Sequence, residues 1–465
     1  MKKILFLSGL LCMLVSQVTA SHLMGGQITA RQISGLTYEL TLTAYRDTVG
    51  IPMYPTATLR IQDFTNGYDS SITSNHNGAS VYINRVEVYS YVDTITLPAN
   101  AQYNVSWEEC CRNGAILNMT NAFSESMHFM TEVTVDAAGL NSTPVFLNAP
   151  VFLAQKYSLF QYNPLPFDAD GDSLAWLLET PLGSNGDTVA GYTLPHADPT
   201  NPFTLNSLTG ELTWMPDSNG FWEASFRVEE YRGGVKIGEI RRDMQIIVVD
   251  DTTNWHNIVF NNGSWPVNGQ GNFAMILNPN VPFNLTVTAS DMDNDPLNLT
   301  AQGEPLMLAN NPAVWTLQNN VPGSITGILS WTPTLTQARL LPYTVAFHGS
   351  EFHNLNTFSN DQTLLLNVSM STGINDLKND FTAGNLFPNP NSGNWMLSFE
   401  LKHSSLVTVD VVDLIGKKVA TVLNQQMPIG NNLVKNSILN LTSGYYFVQV
   451  NVNGQKAASY PMVIE

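Results

Sequence analysis

From residue 22 to about residue 140, apolar and polar side chains alternate in short runs such as "TYELTLTAYRD", "ATLRIQDF", "QYNVSWEE" and "MHFMTEVTVD". Alternation with period two, bounded by Gly, Asn and Pro, predicts strands of an antiparallel sandwich with one wet face per sheet. Two later stretches close on similar strand text, "RRDMQIIVVD" and "NDQTLLLNVS", and the last eighty or so residues alternate again. Thr, Val, Tyr and Phe supply the runs and Asn, Asp, Gly and Pro break them, a composition of strands and turns. The expected fold class is all-β, as tandem antiparallel β-sandwich modules with a small C-terminal β-sandwich.

Within this pattern one phrase occurs twice, "TGELTWMP" at 209 to 216 and "TGILSWTP" at 326 to 333. Each is preceded by an aspartate triplet, "FDADGDSL" at 167 to 174 and "SDMDNDPL" at 290 to 297. The triplets lie 123 residues apart and the tryptophans, Trp214 and Trp331, 117 apart. A repeat of this length is a whole sandwich rather than a solenoid coil. Thr-Gly is expected to make a tight turn, the apolar residue and Trp to face the core, and Pro to end pairing. The competing use of the tryptophans is a stacking platform for sugar.

The repeated unit resembles the immunoglobulin-like and cadherin-like modules of bacterial surface proteins, across roughly Pro144 to Ser369. The opening "SHLMGGQITA", with "AYRD" and "EECCRN", resembles the N-terminal region of Bacteroidetes surface proteins, some associated with gliding motility. That resemblance implies a cysteine directly after Tyr45-Arg46-Asp47, where this chain has Thr48. The end of the chain resembles the type A C-terminal sorting domain of the type IX secretion system. The matching residues are Leu386, Pro388, Asn389 and Pro390, then Gly416 and Lys417, then Gly444 and Tyr446, with Lys456 in the last hairpin. The resemblance implies an address read by the type IX secretion machinery and a secreted or outer-membrane surface location. The expected organisation is a signal peptide at 1–20, an N-terminal sandwich at 21–143, modules at 144–250 and 251–370, a linker at 371–384 and the sorting domain at 385–465.

Residues 1 to 20 read as a secretory signal, with Lys2 and Lys3, an apolar run from Ile4 to Val15 and a small-residue end that places cleavage between Ala20 and Ser21. The apolar run is short for a membrane span, and no later stretch is long enough, so no transmembrane helix is expected in the mature chain. Without Lys2 and Lys3 the chain keeps 18 basic against 38 acidic residues. Such a surface repels nucleic acid, which is excluded as a partner, and favours divalent cations. The expected ligand is an unidentified surface, glycan or protein.

Cys12 leaves with the signal, which leaves Cys110 and Cys111 side by side. Two buried thiols, a vicinal disulfide and intermolecular pairing all remain open, while a structural zinc site lacks further ligands at suitable spacing. No nucleophile elbow, phosphate loop or dinucleotide fingerprint occurs, so no catalytic residue is assigned and the chain reads as non-enzymatic. The alternative is a carbohydrate-binding or carbohydrate-degrading protein. Glu108 and Glu109, as strand neighbours, point to opposite faces. His348, Glu351 and His353 make either a small metal cluster or a solvated loop. The triplets Asp168, Asp170, Asp172 and Asp291, Asp293, Asp295 are the candidate metal ligands: bent at Gly171 or Asn294, alternating carboxylates can aim several oxygens at calcium. The competing reading is a wet turn built from Asp, Gly and Asn. Neither stretch has the Glu at its twelfth position that a helix-loop-helix calcium loop requires, so remaining ligands must come from a neighbouring turn or domain.

Overall fold

The computed structural model describes residues 23–81, 84–252, 258–369, 381–414, 416–437 and 441–465. The expected signal peptide, its cleavage site at Ala20 and Ser21, and residues 371–380 of the expected linker lie outside the described residues. Strands make up most of the described chain, and its one α-helix is the single turn Glu304–Met307. It divides into two compact units, Met1–Ser369 and Met370–Glu465.

In the first unit, an eleven-stranded sheet runs through the N-terminal strands into the first repeat. Leu23–Ser34, Thr37–Asp47, Val86–Thr96, Tyr68–Val81, Thr56–Asp63, Ala101–Cys110 and Ser126–Val135 follow one another in hydrogen-bonded order. The next strand is Val235–Val249, which lies beyond residue 143 and pairs with both Ser126–Val135 and Leu23–Ser34. The path therefore returns on itself, with its closing strand supplied by the first repeat. The glycine pair Gly25-Gly26 makes that closure fit. Gly25, at φ 142°, pairs with Met244 so closely that a Cβ would run into the Asp243 carbonyl, and a Cβ on Gly26 would meet the Phe129 ring.

Alternation sets the cores. Inward residues of the N-terminal strands, among them Leu40, Leu42, Leu59, Ile61, Tyr103 and Val133, form one cluster. A second joins Met24, Tyr45 and Val86 to Phe152, Trp214, Trp222 and Ile246, so the N-terminal strands and the first repeat share apolar packing. A third fills the second repeat around Trp265, Leu329, Trp331, Phe347 and Leu364.

The two repeats are built alike. Each ends on a long hairpin, Gly220–Arg232 with Val235–Val249 and Tyr343–His353 with Asn356–Val368. Each hairpin takes a short strand in parallel, Leu153–Gln155 in one and Ala274–Leu277 in the other. Trp214 and Trp331 are core residues, 0% and 3% exposed, and each indole N–H donates to a backbone carbonyl, of His196 and Asn311. The prolines act through their carbonyls as well: Pro216 accepts from Tyr157 N–H at 2.8 Å and Pro333 from Asn280 N–H at 2.7 Å. The Thr-Gly expectation holds only in the first phrase, where Gly210 turns at φ 74°. Gly327 lies inside the strand Ser324–Trp331. What the two glycines share is a missing side chain beneath an indole, Trp176 over Gly210 and Trp315 over Gly327.

The second unit is a small sandwich. One sheet holds Phe381–Phe387, Asn394–Leu401 and Gly430–Ser437; the other holds Lys418–Met427, Ser405–Val412, Gly444–Val452 and Gln455–Ile464. Trp395, Leu397, Phe399, Val409, Val450 and Met462 fill the space between them. Among the described residues, no helix is long and apolar enough to cross a membrane.

Candidate cation sites at the paired aspartate turns

Both aspartate triplets sit on turns that enter a strand of their repeat, Ser173–Glu179 and Leu297–Gly303. The bends fall at Gly171, φ 85°, and Asn294, φ 65°. In each, the first aspartate closes the turn with its own side chain. Asp168 Oδ1 accepts the N–H of Asp170 and of Asp172 at 3.0 and 2.9 Å. Asp291 Oδ2 accepts those of Asp293 and Asp295 at the same two distances. Asp168 Oδ2 and Asp291 Oδ1, the other oxygens, are buried without a hydrogen-bond partner among the described residues.

Each turn then meets a glutamate from the neighbouring strand. Leu174 pairs with Glu230 and Leu297 with Glu351, each leucine two residues beyond the last aspartate of its triplet. Glu230 is 0% exposed and its carboxyl hydrogen-bonds that of Asp172; Glu351 is 1% exposed. Asp168, Asp172 and Glu230 bring carboxylate oxygens within 4.8 Å of one another. Among the described residues, only this group closes to that spacing.

Burial, followed by the Asp168 charge and a hydrogen bond to Asp172, pushes the Glu230 carboxyl up to about 9. Burial raises Asp168 to about 6, against the opposing effect of the Asp172 N–H. Burial also raises Asp291, with Glu351, Asp293 and Asp295 adding to the shift. Partial burial raises Asp172, but Arg232 holds it below the usual carboxylate range, its Nε donating to Asp172 Oδ1 at 2.8 Å and its Nη2 to Oδ2. At the second turn His353 takes the place of Arg232, its Nδ1 lying 2.8 Å from Asp295 Oδ2.

Not every expected ligand faces its group. Asp170 spends Oδ2 on the Ser142 N–H at 2.7 Å, which ties the turn to the N-terminal strands. The proposed trio of His348, Glu351 and His353 is divided by strand alternation: Glu351 and His353 share the face of the second turn, while His348 points the other way and meets Asp361 at 2.7 Å. Glu230 was missed in the sequence, and Glu351 was grouped with His348 and His353 rather than with its aspartate turn, because each glutamate lies some sixty residues beyond its triplet. Their signal is their own separation of 121 residues, close to the 123 of the aspartates.

Cys110 and Cys111 are bonded to each other, across a cis peptide, at the end of the strand Ala101–Cys110. The next residue, Arg112, is wholly buried. Its guanidinium meets Asp243 Oδ2 at 2.6 Å and Glu223 Oε1 at 3.0 Å, and donates to the carbonyls of Ser126 and Leu182. Burial, then the Asp243 charge, pushes Glu223 far above the usual carboxylate range, so the arginine is not outnumbered by two full negative charges.

In the second unit, Asn389 clips its turn to the final strand. Its Nδ2 donates to the Pro461 carbonyl at 2.9 Å and its Oδ1 accepts the Val463 N–H at 2.7 Å. Pro388 and Pro390 flank it with cis peptide bonds, and Leu386 packs at the edge of the core. Gly416 turns at φ 80° and its N–H donates to the Asp413 carbonyl, while Lys417 N–H donates to Asp413 Oδ1. Gly444 opens the strand in which Tyr446 bonds Thr442; Lys417 and Lys456 are exposed.

Residues 385–465 match the model of the secretion system C-terminal sorting domain. Among curated proteins no match was found. Solved structures similar to this chain include a DUF4785 family protein from Legionella pneumophila, at 9% identity and TM-score 0.24, covering 68% of this chain and 83% of that one. Drosophila N-cadherin EC1-4 matches at 11% identity and TM-score 0.18, covering 89% and 93%. Native Escherichia coli alpha-2-macroglobulin matches at 12% identity and TM-score 0.25, covering 95% of this chain and 28% of that one. At these scores the likeness supports nothing beyond the strand architecture already described. The sorting domain marks the chain as a type IX secretion cargo, delivered to the cell surface or released.

Proposed function

We propose that the passenger ahead of the sorting domain is a non-enzymatic contact module, serving adhesion, surface structure or gliding-related contact, and that calcium stiffens its repeats. Asp168, Asp172 and Glu230 would hold one ion, and Asp291, Asp295 and Glu351 the equivalent position in the second repeat. One observation carries the reading: Asp168, Asp172 and buried Glu230 bring carboxylate oxygens within 4.8 Å of one another, and among the described residues Asp168 Oδ2 meets no hydrogen-bond donor. Without an ion the proton kept by Glu230 relieves the repulsion among these carboxyls; a hard divalent cation takes the place of that proton and holds the group ionised. The cation also joins a turn to the hairpin strand behind it, so binding ties together segments distant in sequence.

A ligand that binds only the folded state at a hundredfold excess over its Kd adds about 2.7 kcal/mol of stability per site. Extracellular modules bind calcium at roughly 0.1 to 1 mM, so the test belongs at millimolar calcium. Thermal unfolding of the full chain with calcium and with chelator should show a calcium-dependent rise in Tm, smaller in Glu230→Gln. Identical curves in calcium and chelator would leave the aspartates as solvated turns.

A further inference from the structure

The second repeat has a polar sheet face that is partly covered. On the strands Leu297–Gly303, Tyr343–His353 and Asn356–Val368, the residues Asn298, Thr300, His348, Ser350, Ser359 and Asp361 point away from the apolar core. The first repeat docks on part of this face. Asp361, 0% exposed, accepts Asn148 Nδ2 at 2.8 Å and Asn163 N–H at 2.7 Å, and holds His348 Nδ1 at 2.7 Å. Beside that seam the face stays open as a groove of about 290 Å³.

The geometry points to this groove as a binding site for one neutral saccharide unit, held by His348, Ser359, Asn298 and Gln302. The inference names a ligand class for the contact role proposed above and rests on it. Asp361 occupies His348 Nδ1 and orients the ring, which leaves Nε2, with no protein partner among the described residues, on the groove wall. Ser359 is 1% exposed, lines the same groove, and its hydroxyl has no hydrogen-bond partner among the described residues. A buried hydroxyl left unpaired in a folded chain awaits a water or a ligand group. Asn298 and Gln302 add amides, each able to donate and accept.

The lining selects the class. Among the described residues no ionisable side chain but His348 lines the groove, so a phosphate or carboxylate ligand would find a single imidazole, and Leu147 and Ala149 give too little apolar surface for a hydrophobic peptide. A sugar's hydroxyls both donate and accept, which matches amide, hydroxyl and imidazole, and its C–H face suits the small apolar edge. The volume lies at the lower end of small-ligand sites, the size of a single ring rather than a chain.

The test is saturation-transfer NMR on the full chain with methyl glycosides of glucose, galactose and mannose, and with N-acetylglucosamine. At least one should take up saturation, and Asn298→Ala, His348→Gln and Ser359→Ala should each weaken it roughly tenfold. Asn298 is exposed at the rim, so its variant keeps the fold even where the buried ones do not. No transfer to any of the sugars, or transfer unchanged in Asn298→Ala and His348→Gln, overturns the site. Attachment of protein-coated beads to cells, scored on the same preparation, separates the two claims. Attachment without saccharide signal removes the groove and leaves the contact role; neither signal removes both.

Discussion

Glu230 is the residue on which the first turn depends. A carboxyl raised from its ordinary 4.5 to about 9 keeps a proton in the folded chain that the unfolded chain releases. The folded state therefore binds more protons across that interval, and stability in chelator should fall as pH rises from about 4.5 towards about 9. Glu230→Gln imitates the protonated form and should flatten that slope in chelator, which denaturant melts at several pH values will measure. Equal slopes in both proteins would show that Glu230 carries no such proton. Arg112 makes the opposite case, a buried cation satisfied by two acids and two carbonyls. Arg112→Met leaves Asp243 and Glu223 facing each other without a cation and should cost about 3 to 5 kcal/mol, read by chemical denaturation.

At the scale of strands, the informative feature is the closure between Leu23–Ser34 and Val235–Val249. Gly25 permits it, and Gly25→Ala should lose about 1 to 3 kcal/mol from the backbone conformation alone, before any clash with the Asp243 carbonyl. A Tm equal to that of the parent would mean the two strands do not meet as described. Alternation made the N-terminal strands legible, because period two is written in neighbouring residues such as Leu40, Leu42 and Ala44; of the hairpins only the closing strands were read, and His348 and His353, offered as part of a solvated loop, lie in the strand Tyr343–His353. It could not show that Val235–Val249 closes the N-terminal ring, since pairing between strands two hundred residues apart leaves no local pattern. Nor could it tell a polar face in water from one under another module. Asp361 and His348 sit where a solvated face was expected, yet Asp361 is buried beneath Asn148 and Asn163. The aspartate turns were legible for the same reason as the strands: Asp168 and Asp291 make their bonds within five residues. Their glutamates were not, because only the pairing of Leu174 with Glu230 and Leu297 with Glu351 brings them there.

For the whole molecule, the terminal unit is an address with its own core, and the passenger ends before it. Deleting residues 385–465 should leave the passenger in the periplasm, as surface proteolysis and cell fractionation will show; delivery at the normal level would contradict a sorting role. The passenger's repeats carry the same turn, the same indole-to-carbonyl bond and the same glutamate. Duplication of a site together with its scaffold is what a stiffened chain of modules needs, since each turn is tied to its own hairpin. The most direct measurement is isothermal titration of the full chain with calcium chloride after chelator removal, beside Glu230→Gln and Glu351→Gln. Two calcium ions should bind the parent and one should bind each variant; no binding by the parent, or unchanged stoichiometry in Glu230→Gln, would contradict calcium at the aspartate turns.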